Sequence, residues 1–371
     1  MILENFVSNI KTDSKIVIWG CGNAGKLLFN YINENRKDIN IVYFVDTFIV
    51  GEFQGIEIIQ PQFLKNKKQE FDLVVLATRK YLHAHTVLLE YLECEYLAIS
   101  DKLEQESRKL FANPNMNKVE KIFLEQEDKD LYNIVCNFRL GGSPKDIQEY
   151  AYKRHQVLIE EPIYNFNAQY QEFINKDAIK TVIDGGFYDG IHTFVFKKEF
   201  KNLEHIYAFE PIYEIVKNNV FDVLLKEIKE LEIVPLGLWD CDTKLSFMLN
   251  LAGSHVLQQK QNNIKEDKLV TINVTSISKF KKDRNIEKID FIKLDIEGAE
   301  LTVIKACEEL ILKDRPQIAI SIYHSVDDLV EIPLYLHKIL KDQKYVFRLG
   351  HYSARCWETV LYAIPKELYQ F

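Results

Sequence analysis

Two glycine clusters, each set behind a short apolar run and ahead of a helical pattern, constrain this fold more than any other feature. The first is "KIVIWGCGNAGKLL", residues 15–28, and the second is "TVIDGGFYDGIHT", residues 181–193. An apolar strand that turns through glycine into a helix opens a βαβ unit, and such units build parallel sheets with right-handed crossovers. Behind the first cluster, "INIVYFVD", "FDLVVLAT" and "CEYLAIS" read as strands separated by helical stretches. Behind the second come "HIYAFEP", "EIVPLGLW", "KIDFIKLDIEG" and "PQIAISIYH", then "KYVFRLG" and "TVLYAIP" with no helix between them. That last pair predicts an antiparallel hairpin closing an otherwise parallel sheet. With 371 residues, more than one core is needed. The chain therefore reads as α/β: an N-terminal Rossmann-like domain over 1–100, a charged helical connector over 101–178, and a second doubly wound domain over 179–371.

The second cluster belongs to a longer constellation. Asp184 ends a strand, Gly185, Gly186, Asp189 and Gly190 form the loop, and Thr193 begins the next helix. Glycines let a ligand approach the backbone, and the helix N-terminus offers unpaired N–H groups. The following strand ends in Glu210, 20 residues after Gly190, where a carboxylate can accept both hydroxyl hydrogens of a ribose. Farther on, Lys293, Asp295, Glu297 and Glu300 crowd the end of a very apolar strand, and His324 closes another at the same sheet edge. Charges at the carboxyl ends of parallel strands face the ligand crevice. Helix capping by Asp295 or Glu297 is the competing explanation for that acidic run.

The segments "DGGFYDGIHT", "AFEP", "PLGLWD", "KLDIEGAE" and "YHSVDDLVEIPLYL", in this order across residues 155–365, resemble the FkbM family of S-adenosylmethionine-dependent methyltransferases. The resemblance implies a class I methyltransferase sheet ending in an antiparallel hairpin, with S-adenosyl-L-methionine in the crevice. It implies cofactor contacts from Asp184, Gly185, Gly186, Asp189, Gly190, Thr193, Glu210, Pro211, Gly237 and Asp295. It also implies O-methylation of a sugar hydroxyl, on a glycan or a nucleotide-linked saccharide. Such a hydroxyl is a poor nucleophile, so a base within reach helps. His324 is the expected base and Asp295 the group that orients the acceptor. A Mg²⁺ on Asp295 and Glu297 is chemically conceivable, but the sequence closes no ligand set and no metal is expected.

The first cluster fits the dinucleotide fingerprint through Gly20, Gly22 and Gly25, with Asp46 ending the next strand. It misses the P-loop because Leu27 follows Lys26, where a Ser or Thr would hold Mg²⁺. Residues 1–100 hold no Tyr-x-x-x-Lys pair of the kind that sugar-modifying dehydrogenases use. This stretch resembles the nucleotide-sugar-binding or sensor-like Rossmann domains attached to glycan-modifying enzymes, which implies a second nucleotide site or a docking role. The alternative function is therefore a nucleotide-sugar oxidoreductase or nucleotide sensor working from Gly20, Gly22, Gly25 and Asp46.

A formal net charge of −8 argues against a nucleic-acid partner. The six cysteines form no C-x-x-C pair, which fits free thiols in a reducing cytoplasm rather than a disulfide framework. No signal peptide and no membrane span is expected, and the connector offers a surface for a homodimer.

Overall fold

The computed structural model describes residues 7–8, 10–47, 49–77, 96–98, 115–139, 145–155, 168–213, 226–248, 255–256, 269–355 and 357–370. The chain divides into two compact units, Met1–Arg108 with Leu158–Pro162, and Lys109–Val157 with Ile163–Phe371. The helices expected over "HTVLLEYLE" and "DKLEQESRKLF" lie outside the described residues.

In the first unit β1 (Lys15–Trp19) pairs in parallel with β2 (Asn40–Val45), and the six-stranded order is β3-β4-β2-β1-β5-β6. The flanking strands are β3 (Gly51–Phe53), β4 (Ile56–Ile59), β5 (Leu73–Leu76) and β6 (Tyr96–Ala98). Helix Asn23–Asn35 buries Leu28, Phe29 and Ile32 against Ile16 and Ile18. The sequence did not show the hairpin β3–β4. Its two turn residues, Gln54 and Gly55, both take positive φ (49° and 80°), as a tight hairpin turn with right-handed strand twist requires.

The second unit is built on a seven-stranded sheet of order β16-β17-β15-β14-β7-β8-β9. Its members are β7 (Thr181–Gly185), β8 (His205–Phe209), β9 (Leu231–Val234), β14 (Phe291–Leu294), β15 (Gln317–Ser321), β16 (Tyr345–His351) and β17 (Thr359–Pro365). The first five run parallel, and β16 and β17 form the expected antiparallel closure. Side chains alternate across the sheet. Ile183, Ile292, Ile318 and Ile320 pack on one face with helices Gln126–Arg139 and Asp328–Leu340. Val182, Phe291, Ala319 and Tyr362 pack on the other with Phe196 of helix Ile191–Glu199. The described helices of the segment 101–178 belong to this unit. Leu131, Tyr132, Val135 and Cys136 are buried in its core, the Tyr132 hydroxyl donates to the Leu329 carbonyl (3.1 Å), and Asp128 accepts from Arg348 Nε (2.6 Å). The apolar stripe of that helix is covered by its own unit.

A second, four-stranded sheet of order β10-β13-β11-β12 was not read from the sequence; its strands are β10 (Gly237–Leu238), β11 (Thr243–Met248), β12 (His255–Val256) and β13 (Leu269–Thr275). Ile212, Ile272, Val274, Trp239 and Leu245 make its small core, so Trp239 packs there.

Candidate active site

The strand order reverses between β7 and β14, and the crevice outside the carboxyl ends of such strands is where open α/β sheets take ligands. Asp184 and Lys293 are cross-strand partners there, on the same face of the sheet. Their charged ends meet at 3.0 Å with both side chains only 1% exposed. Lys293 Nζ also donates to the carbonyls of Gly185 (3.0 Å) and Gly186 (2.6 Å). Thr193, on the first turn of helix Ile191–Glu199, donates to the other Asp184 oxygen (2.6 Å). The loop between strand and helix is thus fastened at both ends by one carboxylate and one ammonium.

Gly186 explains why the loop needs glycine. Its φ is +79°, and a Cβ there would stand 1.7 Å from the Asp295 carbonyl oxygen. The two loops therefore touch backbone to backbone, and Asp295 N–H donates to the Gly185 carbonyl (3.0 Å). Asp189 accepts from Ile191 N–H (3.1 Å) just ahead of the helix, and Gly190 is the residue before it. Glu210 follows β8 and is 7% exposed. Its two oxygens accept from Tyr188 N–H (3.0 Å) and Ile212 N–H (3.2 Å), and burial pushes its carboxyl above the usual range despite them. Pro211 comes next, and Gly237 sits in β10 with Val274 packed over it.

Asp295 and His324 stand together, in the company of further acidic and phenolic groups. His324 Nε2 lies 2.9 Å from Asp295 Oδ1 and 3.1 Å from Glu300 Oε1, while Nδ1 is 3.5 Å from Glu297 Oε2. Asp295 further accepts from the hydroxyls of Tyr170 (2.7 Å) and Tyr323 (3.0 Å). Burial alone would lower the His324 imidazole, but Glu300 and Asp295 overcome it and hold the proton on well above the ordinary value of 6.5. Burial likewise works against Asp295 ionising, yet His324, Lys293 and Tyr170 keep it far below the usual carboxylate range. Glu300, fully buried, staples its own loop by accepting from Ile296 N–H (2.7 Å) and Gly298 N–H (3.0 Å). Asp295, Glu300 and His324 bring one ligand atom each within 4.8 Å of one another, a spacing that also suits a divalent cation.

Three contributors carry no local sequence signal. Tyr170 reaches Asp295 from 125 residues away. Arg139 donates to the Tyr323 carbonyl. Glu358, with φ +66°, accepts from Gln169, and burial together with the Asp295 charge pushes its carboxyl up to about 8.

At the first glycine cluster Gly20 N–H donates to the Val45 carbonyl (2.7 Å), and a Cβ on Gly25 would stand 1.8 Å from the Gly20 carbonyl oxygen. Packing of helix on loop thus accounts for two of its three glycines, while Gly22 faces open space. Asp46 is engaged by its own loop, accepting from Cys21 N–H (2.9 Å) and Ile49 N–H (3.1 Å).

Five parallel strands closed by an antiparallel pair, with a glycine loop, a buried acid after the second strand and an acidic run after the fourth, define the Rossmann-like sheet of class I methyltransferases. The family model for the methyltransferase FkbM domain matches residues 184–349. A second model, C2185-like, N-terminal, matches residues 12–94. The crystal structure of methyltransferase FkbM from Methylobacillus flagellatus KT shares the fold, with a TM-score of 0.63 and 18% identity over 98% of this chain and 93% of that one. A SAM-dependent methyltransferase from Aquifex aeolicus is similar at a TM-score of 0.29 and 14% identity, over 60% of this chain and 98% of that one. UDP-D-quinovosamine 4-dehydrogenase from Vibrio fischeri gives 0.22 and 26%, over 26% of this chain and 86% of that one. No curated protein matches the chain. Among the described residues no helix is long and apolar enough to cross a membrane.

Proposed function

We propose that the second unit is an S-adenosylmethionine-dependent O-methyltransferase whose acceptor is a sugar hydroxyl, on a glycan or a nucleotide-linked saccharide. One observation carries the reading: Asp184, Glu210, Asp295 and His324 stand along one crevice edge of a methyltransferase FkbM domain. The residues suit the cofactor on structural grounds. Gly186 lets the glycine loop close directly on the Asp295 backbone, so the loop and the acidic run share one crevice edge. Glu210 is a buried carboxylate that accepts from two backbone N–H groups, which leaves lone pairs for two hydroxyl donors.

When bound, S-adenosylmethionine supplies an electrophilic methyl group on a positively charged sulfur. In-line displacement asks the protein mainly for position. Glu210 would hold the ribose, and the loop fastened by Asp184, Thr193 and Lys293 would hold the amino-acid end. Asp295, fixed by Tyr170 and Tyr323, orients His324 and the acceptor hydroxyl. His324 takes the hydroxyl proton on Nδ1, the ring nitrogen not engaged by Asp295 and Glu300. Its raised basicity brings it closer to a sugar hydroxyl, which favours proton transfer.

Calorimetry with S-adenosylhomocysteine tests the reading. Wild type binds, and Glu210→Ala loses at least tenfold in affinity with its fold intact. Equal binding by both proteins sinks the assignment, and NADH binding that disappears in Asp46→Ala would move the function to the first glycine loop.

A further inference from the structure

We infer that the acceptor is acidic, and that its phosphate or carboxylate group is held by Arg139 and Arg355 beside the methyl-transfer site. The inference rests on the methyltransferase reading for the reaction, but its own ground is a different set of residues.

Seven arginines lie among the described residues, and five of them pair with a carboxylate: Arg36 with Asp38, Arg154 with Glu127 and Glu172, Arg284 with Glu232, Arg315 with Glu367, and Arg348 with Asp128. Arg139 and Arg355 are the other two, and no carboxylate among the described residues lies within ion-pair distance of either. Arg139 ends helix Gln126–Arg139, is 3% exposed, and has no partner for its Nε. Arg348, in the same unit, is almost as buried at 6% and does have its carboxylate, so burial in this unit does not by itself leave a guanidinium unpaired. Arg355 lies on the loop between β16 and β17, over the Trp357 ring, and its Nε is also unpartnered.

The surroundings repeat the pattern. His351 is fully buried, bonds Thr359 through Nδ1 (2.9 Å), and has no partner at Nε2. Burial holds its pKa down at about 3; the backbone at Arg355 pulls the other way, and the charges of Arg139 and His155 push it lower again, so the Arg355 backbone and those two side chains all act on this one ring. The Trp357 indole N–H is buried without an acceptor as well. Among the described residues this cluster of N–H donors has one carboxylate at hand, Glu172 at 3.8 Å from His155 Nε2, and none on either guanidinium fork, an arrangement suited to receive an anion.

Its place fits an acceptor group. Arg139 donates to the Tyr323 carbonyl, and the hydroxyl of the same tyrosine donates to Asp295 (3.0 Å). One residue thus separates the guanidinium from the carboxylate that orients the base. A ligand that presents an oxyanion to Arg139 brings its nearby hydroxyls toward His324. A neutral sugar would leave the guanidinium uncompensated.

The test is calorimetric titration of the protein, with and without saturating S-adenosylhomocysteine, using UDP-glucose, glucuronic acid and glucose. Binding of UDP-glucose alone identifies a phosphate, and binding of glucuronic acid alone identifies a carboxylate. In either case Arg139→Met and Arg355→Met weaken that probe at least tenfold, Arg139→Lys restores part of the loss, and S-adenosylhomocysteine affinity stays at the wild-type level. Arg355 is partly exposed on a loop, so its variant keeps the test decisive if Arg139→Met fails to fold. Glucose binding as tightly as the acidic probes, failure of both acidic probes, or unchanged affinity in both variants overturns the inference. Absence of S-adenosylhomocysteine binding to wild type sinks the methyltransferase reading instead, while the acidic probes still report on the arginines.

Discussion

Replacing Lys293 by methionine removes the ammonium from the centre of the crevice floor and leaves the rest of the strand in place. Asp184 is then left at 1% exposure without its counter-charge, and two carbonyls, of Gly185 and Gly186, lose their donor. Breaking a buried pair from one side costs about 3–5 kcal/mol, and the carbonyl losses overlap with that figure rather than adding to it. For a unit of this size, 1 kcal/mol moves the melting temperature by roughly 2–4 °C, so Lys293→Met is expected to lower it by roughly 6–20 °C. Asn at 184 keeps an acceptor for Thr193 while removing the charge. The double variant Asp184→Asn/Lys293→Met is therefore expected to recover more than half of the loss, a coupling of about 2 kcal/mol. Differential scanning calorimetry of wild type, both single variants and the double variant reads these shifts. A Lys293→Met melt within about 3 °C of wild type, against the 3–5 kcal/mol expected for a buried pair, would refute the reasoning. So would a double variant that melts below both singles.

Two further outcomes follow from the carboxylates around His324. Because its imidazole titrates well above 6.5, a base role makes turnover climb with pH above neutrality, whereas the ion pairs with Asp295 and Glu300 stabilise the fold below about 6.5 and fade as pH passes the raised value. Rate and stability should thus run in opposite directions across that window, and a rate profile already flat by pH 6.5 removes His324 as the base. Chelation is expected to leave turnover unchanged, since Glu300 is occupied by two backbone N–H groups and His324 by its proton. Loss of turnover in EDTA that Mg²⁺ restores reassigns Asp295, Glu300 and His324 as cation ligands.

The strands of the second unit were legible because each is an uninterrupted apolar run that stops at a charged residue. "TVIDG" and "FIKL" are buried along their whole length, as parallel strands covered on both faces must be. The same logic brought Asp184, Glu210, Asp295 and His324 to one edge. The small sheet stayed hidden because "TKLSFM" and "LVTINVT" alternate polar with apolar and flank a long polar insert. Tyr170 and Arg139 stayed hidden for a different reason. They enter the site from segments far upstream, and nothing in "NAQYQEF" or "CNFRL" marks a ligand. The protonation of His324 also escaped the sequence, because it depends on Glu300 folding back over a tight turn. At the first cluster the motif was clear, but packing contacts explain much of its regularity.

Lys293 has one more consequence, a chemical one. Its side chain is 1% exposed, its ammonium donates to the carbonyls of Gly185 and Gly186, and Asp184 stands 3.0 Å away. An amine so placed has no free lone pair and no path to a reagent, so it is a lysine without amine chemistry. Acylating or reductively methylating reagents that mark the solvent-facing lysines should pass it by in the folded protein and find it only after unfolding. Its labelling is therefore a direct clock for the opening of the crevice floor.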